Sequence, residues 1–90
     1  MLMSEELKVL EGKHCISTLL ALRDGPLTKM ELYAKVSKNP RMPEKISDLE
    51  GMGLLTVTKT ENRAECVALT GKGAEVADML HQVDSLLMER

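Results

Sequence analysis

The sequence predicts a mainly α-helical domain that includes one small β-hairpin. Three observations support this fold class. Apolar residues recur at helical spacing through much of residues 5–52, they alternate with polar residues over residues 54–69, and helical spacing returns over residues 72–88. At 90 residues the chain is long enough for one small domain, which we expect to occupy residues 1–90.

The amino-terminal part is expected to form two helices. Ser4 is a suitable N-cap for a short helix over residues 5–11, because its hydroxyl can accept a hydrogen bond from a free N–H group of the first turn. Gly12 interrupts this helix, and a second one follows over residues 13–23. The Gly-Pro pair at residues 25–26 ends the second helix. Its apolar stripe, at spacings of four and three residues, consists of Cys15, Leu19 and Leu22, with Ile16 and Leu20 beside them.

A helix-turn-helix is predicted over residues 28–52. Thr28 can cap a helix over residues 29–36, because Glu31 three positions later completes a capping box. The next helix is expected to begin near Pro43, since proline is tolerated in a first helical turn. The residues of this pair expected to face inward are Met30, Leu32, Tyr33, Val36, Met42, Ile46 and Leu49. Those expected to face outward on the second helix are Arg41, Glu44, Lys45, Ser47 and Asp48.

The hairpin is predicted over residues 54–69, with its tip at residues 60–62. Alternation of apolar and polar residues places one apolar pair of each strand on the buried face. If the two strands are in register, Leu55 and Val57 lie opposite Val67 and Leu69.

Thr70 is expected to cap a final helix over residues 72–88. The Gly-Lys-Gly run at residues 71–73 lacks the earlier glycine and the following Ser or Thr of a phosphate-binding loop, which favours a helix cap. The helix carries an apolar seam longer than a core of this size requires, and we expect it to form a homodimer interface. The seam consists of Val76, Leu80, Val83, Leu86 and Leu87, and Leu2, Leu7 and Leu10 can extend it. The alternative is a stripe that covers only the core of its own monomer.

Composition and charge exclude several functions. Tyr33 is the only aromatic residue, so the stacked aromatic platforms of single-strand and RNA binders cannot form. The net charge is −2, but residues 29–72 hold eight basic and six acidic side chains, so positive charge collects in the middle of the chain. A phosphate-binding surface requires such a local patch rather than a basic whole.

No catalytic, cofactor or metal site is predicted. A nucleophile, base and orienting acid cannot be assembled from the residues present, so we expect no enzyme activity. Cys15 and Cys66 have no Cys or His neighbour at metal-ligand spacing, and both are expected to be free thiols. The chain begins without a secretory signal and contains no membrane span, which predicts a cytoplasmic protein without a membrane partner.

Four segments resemble a known family. They are Leu-Glu-Gly-Lys at residues 10–13, Leu-Arg-Asp-Gly-Pro-Leu-Thr at 22–28, Ile-Ser-Asp-Leu-Glu-Gly-Met-Gly-Leu-Leu at 46–55 and Val-Ala-Leu-Thr-Gly-Lys-Gly at 67–73. Together they resemble the winged helix-turn-helix transcriptional regulators of bacteria and archaea, most closely the HxlR and PadR types and more distantly the MarR type. The resemblance covers nearly the whole chain. His14 and Val67 stand where the family has aromatic residues.

The resemblance implies a homodimer that binds specific double-stranded DNA and regulates transcription. The second helix of the helix-turn-helix would enter the major groove with Arg41, Glu44, Lys45, Ser47 and Asp48. The DNA backbone would be contacted by Thr28, Lys29, Lys35 and Lys38, and the wing would contribute Lys59, Asn62 and Arg63. Because Glu44 and Asp48 repel phosphates, the alternative is a winged-helix module that binds another protein and no DNA. The sequence identifies no small-molecule effector.

Overall fold

The structure is a computed structural model that describes residues 2–89. Helices dominate it, and a small antiparallel sheet combines one short strand before the third helix with two strands between the fourth and the last helix. The elements are α1 Glu5–Leu10, α2 Cys15–Ala21, a 3-10 turn Leu22–Asp24, β1 Leu27–Thr28, α3 Lys29–Lys35, α4 Met42–Gly51, β2 Leu55–Lys59, β3 Glu65–Leu69 and α5 Gly71–Met88. The predicted fold class is confirmed.

The turn between α1 and α2 is longer than predicted. Helix α2 begins at Cys15 rather than near residue 13, because His14 has a left-handed backbone conformation with a φ of 71° and cannot continue a helix. At the other end, the predicted helix tightens into the 3-10 turn, which stops at Gly25. The α1–α2 turn, residues 11–14, therefore stands out as an irregular loop.

The sheet has three strands rather than the two predicted. The added strand β1 pairs with β3, and the strand order is β1-β3-β2, so β3 lies in the centre. Between β2 and β3 the register is the predicted one, with Leu55 opposite Leu69 and Val57 opposite Val67. A strand of two residues carries no periodicity, which is why the sequence did not reveal β1.

Strands β2 and β3 form the hairpin that we call the wing. The backbone conformation of the turn between them moves the start of β3 to a later residue than predicted. Arg63 has a φ of 62°, and its N–H donates to the carbonyl of Thr60 at 2.9 Å. The N–H of Thr60 donates in turn to the carbonyl of Ala64 at 2.8 Å. This pattern is a tight turn followed by one left-handed residue, a common hairpin connection. Pairing therefore resumes at Glu65, two residues later than the predicted start of the return strand.

The core is aliphatic and draws on every part of the chain from α2 to α5. Its buried residues are Cys15, Leu19, Leu22, Leu32, Ile46, Leu49, Leu54, Leu55, Val67 and Ala77. Among residues 2–89 the one buried polar side chain is that of Thr18. Its hydroxyl donates to the carbonyl of His14 at 2.7 Å, so its burial does not leave the hydroxyl unpaired. Two residues predicted to lie on inward stripes are instead exposed. Met30 on α3 is 82% exposed, and Ile16 on α2 is 42% exposed.

One threonine joins the end of α4 to the start of α5. The Thr70 hydroxyl donates to the carbonyl of Gly53 at 2.6 Å and accepts from the N–H of Gly73 at 2.9 Å. Its own N–H donates to the carbonyl of Leu54 at 3.0 Å. Gly73 lies so close to Leu54 that a Cβ at this position would overlap the Leu54 carbonyl oxygen. We call this set of contacts the Thr70 junction, and it agrees with the predicted helix cap.

None of the helices described between residues 2 and 89 is both long and apolar enough to cross a membrane.

Candidate nucleic-acid interface

Helix α4 presents a polar face because its apolar residues are committed to the core. Met42, Ile46 and Leu49, at spacings of four and three, are each at most 2% exposed. The opposite side of the helix is therefore turned to solvent. Four of the five predicted outward residues are exposed there: Arg41, Glu44, Ser47 and Asp48. Two are acidic and one is basic, so this face of α4 is not electropositive by itself.

Lys45 departs from the predicted outward position and is half-buried. Its ammonium bends back toward the α1–α2 turn, where a Cβ added to Gly12 would lie 3.3 Å from Lys45 Nζ. The same ammonium acts on the thiol of Cys15. Burial raises the pKa of that thiol, and the positive charge of Lys45 opposes the rise only in part. Cys15 is thus a buried side chain of the core.

The start of α3 is fixed by contacts within the protein. Thr28 and Glu31 form the predicted capping box, in which the Thr28 hydroxyl accepts from the Glu31 N–H at 3.1 Å and the Glu31 carboxylate accepts from the Thr28 N–H at 2.9 Å. These hydrogen bonds lower the pKa of Glu31. Lys29 forms an ion pair with Glu65 at 3.0 Å, which links α3 to β3. Two of the four residues predicted to contact the DNA backbone therefore also have structural partners.

The remaining predicted backbone and wing residues lie on the surface. Lys35 and Lys38 are exposed at and beyond the end of α3. Lys59, Asn62 and Arg63 are exposed on the wing. In the structure the wing lies close to the start of α3, and the two segments line a common groove of about 330 Å³. It is lined by Thr28, Lys29, Met30, Arg63, Ala64 and Glu65.

The seam of α5 divides into two halves. Val76 and Leu80 are half-buried and pack against the core of their own chain. Val83, Leu86 and Leu87 lie beyond the core and are 51%, 67% and 79% exposed. The amino-terminal segment adds exposed apolar side chains, among them Leu2 at 93% and Leu7 at 46%. The inner half of the predicted interface thus covers the monomer, and only the outer half is uncovered.

A cavity that sequence reasoning missed lies at the amino end of α4. It has a volume of about 250 Å³ and is lined by Lys13, His14, Asn39, Arg41, Met42 and Lys45. Arg41 and Lys45 belong to the predicted recognition helix, which is the helix expected to enter the major groove, whereas no sequence pattern associates Lys13 and His14 with it. Nearly thirty positions separate the two groups in the chain, and no motif connects them. Within residues 2–89 no group of three or more His, Cys, Asp or Glu side chains is arranged to hold a metal ion.

Comparisons with known proteins identify the fold. No protein-family model matches the chain, and no curated protein is similar to it in sequence. A solved structure of a MarR-family transcriptional regulator from Porphyromonas gingivalis W83 matches with a TM-score of 0.83 at 17% identity, and covers 100% of this chain and 98% of that one. The transcriptional repressor BigR from Xylella fastidiosa matches with a TM-score of 0.77 at 17% identity, over 94% of this chain and 85% of its own.

Reduced HlyU from Vibrio cholerae N16961 matches with a TM-score of 0.70 at 20% identity, over 86% of this chain and 82% of that one. The similarity lies in the path of the backbone, since fewer than a quarter of the residues are identical. The particular likeness to the HxlR and PadR types stays a resemblance of sequence motifs. In its helices, its three-stranded sheet and their order along the chain, this protein has the winged helix-turn-helix fold of MarR-like regulators.

Proposed function

We propose that this protein is a transcriptional regulator that binds specific double-stranded DNA as a homodimer in the prokaryotic cytoplasm. The observation that carries the proposal is the placement of α4. Its apolar side is buried, its polar side is exposed, and strand β2 of the wing packs against the helix. Two of the structural neighbours are named as a transcriptional repressor and a transcriptional regulator, which supports this function over catalysis.

In this proposal α4 enters the major groove. Its ten residues give a length of about 15 Å, which suits a groove about 12 Å wide. Arg41 can donate two hydrogen bonds to a guanine, and Glu44 or Asp48 can accept from the exocyclic amine of cytosine. Ser47 can donate or accept. The acidic residues thus contribute to sequence preference and reduce overall affinity.

Contacts to the DNA backbone would flank this helix. Lys35 and Lys38 are exposed at and beyond the end of α3, and Lys59, Asn62 and Arg63 are exposed on the wing. Thr28 and Lys29 lie at the start of α3, where they share a groove with Arg63. Phosphate contacts fix the register of the protein on the duplex without reading its sequence.

A dimer would supply the second recognition helix. The uncovered apolar residues Val83, Leu86 and Leu87 on α5, together with the amino-terminal leucines, are the surface we assign to it. A twofold dimer of this kind places two recognition helices about 34 Å apart, one turn of DNA. Because each monomer is slightly acidic, two sets of contacts are needed for useful affinity.

The proposal is tested by fluorescence anisotropy with labelled duplex DNA over a series of salt concentrations, using protein whose dimeric state has been established by light scattering. We expect binding at low salt that weakens steeply as salt rises, since each neutralised phosphate contributes about −0.9 to the slope of log K against log salt. Arg41→Ala should weaken binding by about tenfold, because an arginine pair with guanine contributes about 1–3 kcal/mol.

The matched control is Lys8→Ala, which removes an exposed cation on α1 that is paired with Glu5 and has no predicted contact with DNA. Its DNA affinity should equal that of the unmodified protein. A verified dimer that binds no duplex at low salt would overturn the proposal and favour the second candidate, a module that binds a protein partner through the acidic face formed by Glu44 and Asp48.

A further inference from the structure

The cavity at the amino end of α4 is surrounded by positive charge. Lys13 comes from the α1–α2 turn, Arg41 precedes α4, and Lys45 comes from its first turns. No aspartate or glutamate lines the cavity. The ion pairs found among residues 2–89 involve other cations, so these three side chains have no carboxylate within salt-bridge distance. Three cations line one concave space that no carboxylate lines, and this favours an anion in that space.

The position of the Lys45 ammonium also favours an anion in the cavity. A lysine on an exposed helix normally extends into water, but Lys45 is half-buried, and its ammonium lies against Gly12 in the α1–α2 turn. A side chain larger than a hydrogen at Gly12 would press on this ammonium and on the Cys15 sulfur, each at 3.3 Å from an added Cβ. Glycine at this position therefore gives Lys45 room to reach the cavity from α4.

Neutral hydrogen-bond donors complete the lining. The Asn39 side-chain oxygen accepts from the Arg41 N–H at 2.8 Å, which leaves the amide NH₂ of Asn39 as a donor. The imidazole of His14 also lines the cavity. A tetrahedral oxyanion with several acceptor oxygens matches this set of donors better than a single carboxylate does, and the planar fork of Arg41 suits two of those oxygens.

We propose that this cavity binds a phosphate group, held by Lys13, Arg41 and Lys45. A volume of about 250 Å³ accommodates one phosphate with several waters, at about 30 Å³ for each water. The site itself does not depend on DNA binding. The phosphate can belong to a free anion or to a DNA backbone, and the two sources have different consequences. A free anion would occupy Arg41 and Lys45 and so prevent them from contacting DNA. A DNA phosphate would make Arg41 a backbone contact in place of its contact with guanine, and it would add Lys13 to the DNA contacts.

The first arm of the test is a titration with inorganic phosphate against chloride at equal ionic strength, followed by ¹H–¹⁵N NMR spectra of the 90-residue protein. We expect saturable shifts confined to the amides around residues 13–15 and 39–45, with a dissociation constant of roughly 0.1–10 mM. Lys13→Gln and Lys45→Gln should each weaken binding about tenfold. Lys13 is exposed, so its replacement leaves the fold intact even if the half-buried Lys45 does not tolerate change. Lys8→Gln is the matched control.

The second arm measures duplex DNA affinity of the same variants. If the phosphate belongs to DNA, Lys13→Gln weakens DNA binding at least fivefold, Lys8→Gln does not, and DNA shifts the Lys13 amide. If it is a free anion, the saturable phosphate binding of the first arm appears and Lys13→Gln leaves DNA affinity unchanged. Either result supports the site. Two results together would refute the site. The first is that phosphate causes no shifts, or causes the same shifts in Lys13→Gln as in Lys8→Gln, and the second is that Lys13→Gln does not change the affinity for DNA. The first arm contains no DNA, so it can detect the phosphate site even if the protein does not bind DNA. Failure of the proposed function and failure of the phosphate site are therefore distinguishable.

Discussion

Two glycines at the start of α5 differ in whether the surrounding structure leaves room for a larger side chain. Gly71 faces open space, whereas Gly73 lies directly against the carbonyl of Leu54. Both belong to the same helix, and both would be read from the sequence as helix-weakening residues. Only the packing distinguishes them, because the close approach at Gly73 is to backbone, which cannot move aside as a flexible side chain can.

Gly73→Ala is therefore expected to destabilise the protein by about 3 kcal/mol, through overlap with Leu54 and loss of the Thr70 junction. In thermal unfolding followed by circular dichroism, the melting temperature should fall by roughly 10–20 °C for a domain of this size. Gly71→Ala, the matched control, should be neutral or stabilising by up to about 1 kcal/mol, since alanine favours a helix. Equal melting temperatures for the two variants would contradict the close contact at Gly73.

Arg63 combines an unfavourable backbone conformation with an exposed charge. Its positive φ costs a non-glycine residue about 1 kcal/mol, so Arg63→Gly should stabilise the hairpin by about that amount relative to Arg63→Ala, which retains the strain. Both variants remove the charge and should reduce the salt slope of DNA binding by about 1. Denaturant unfolding and the anisotropy salt series measure the two effects separately. Variants of equal stability would show that Arg63 does not hold this turn conformation in solution.

At the scale of elements, the sequence predicted those parts of the fold that carry periodicity or capping residues. The capping box of Thr28 and Glu31, the Thr70 cap and the register of Leu55 with Leu69 were all predicted correctly. Strand β1 was missed because two residues cannot show alternation. The length of the α1–α2 turn was not predicted, because no sequence pattern indicates the left-handed backbone conformation of His14.

Only part of the candidate site could be predicted from the sequence. Exposure of Arg41, Glu44, Ser47 and Asp48 follows from helical spacing once the buried side of α4 is known. The inward bend of Lys45 depends on Gly12, which belongs to another element and lies far away in sequence. Periodicity assigns a residue to one face of its own helix, but it does not reveal what a neighbouring loop brings to that face.

Helix α5 yields the prediction that belongs to this scale. Val83→Gln combined with Leu86→Gln should convert the proposed dimer to a monomer, because both side chains lie beyond the monomer core and lose only an intermolecular contact. Sedimentation velocity measures the association state, and the melting temperature of the monomer reports any damage to the fold. His81→Gln changes an exposed polar residue on the same helix and should leave the dimer intact. A dimer that persists in the double variant would place the interface elsewhere.

For the whole molecule, the distribution of charge matters more than its total. The net charge of −2 conceals a positive middle and an acidic carboxyl-terminal segment. Among residues 29–72, Lys29 is paired with Glu65 and Lys45 turns toward the cavity, which leaves fewer cations on the outer surface than the sequence suggests. We therefore expect the monomer to bind DNA weakly and the dimer to depend strongly on salt.

The Thr70 junction has a mechanical consequence for such a dimer. Since Thr70 forms hydrogen bonds both to the segment that follows α4 and to the start of α5, we expect the two helices to move together. Helix α5 has 18 residues and is about 27 Å long, so a tilt of about 10° at the outer end displaces its other end by about 5 Å. That is more than the rise of one DNA base pair. The angle at which two copies of α5 cross would thus set which spacing of half-sites the pair can span.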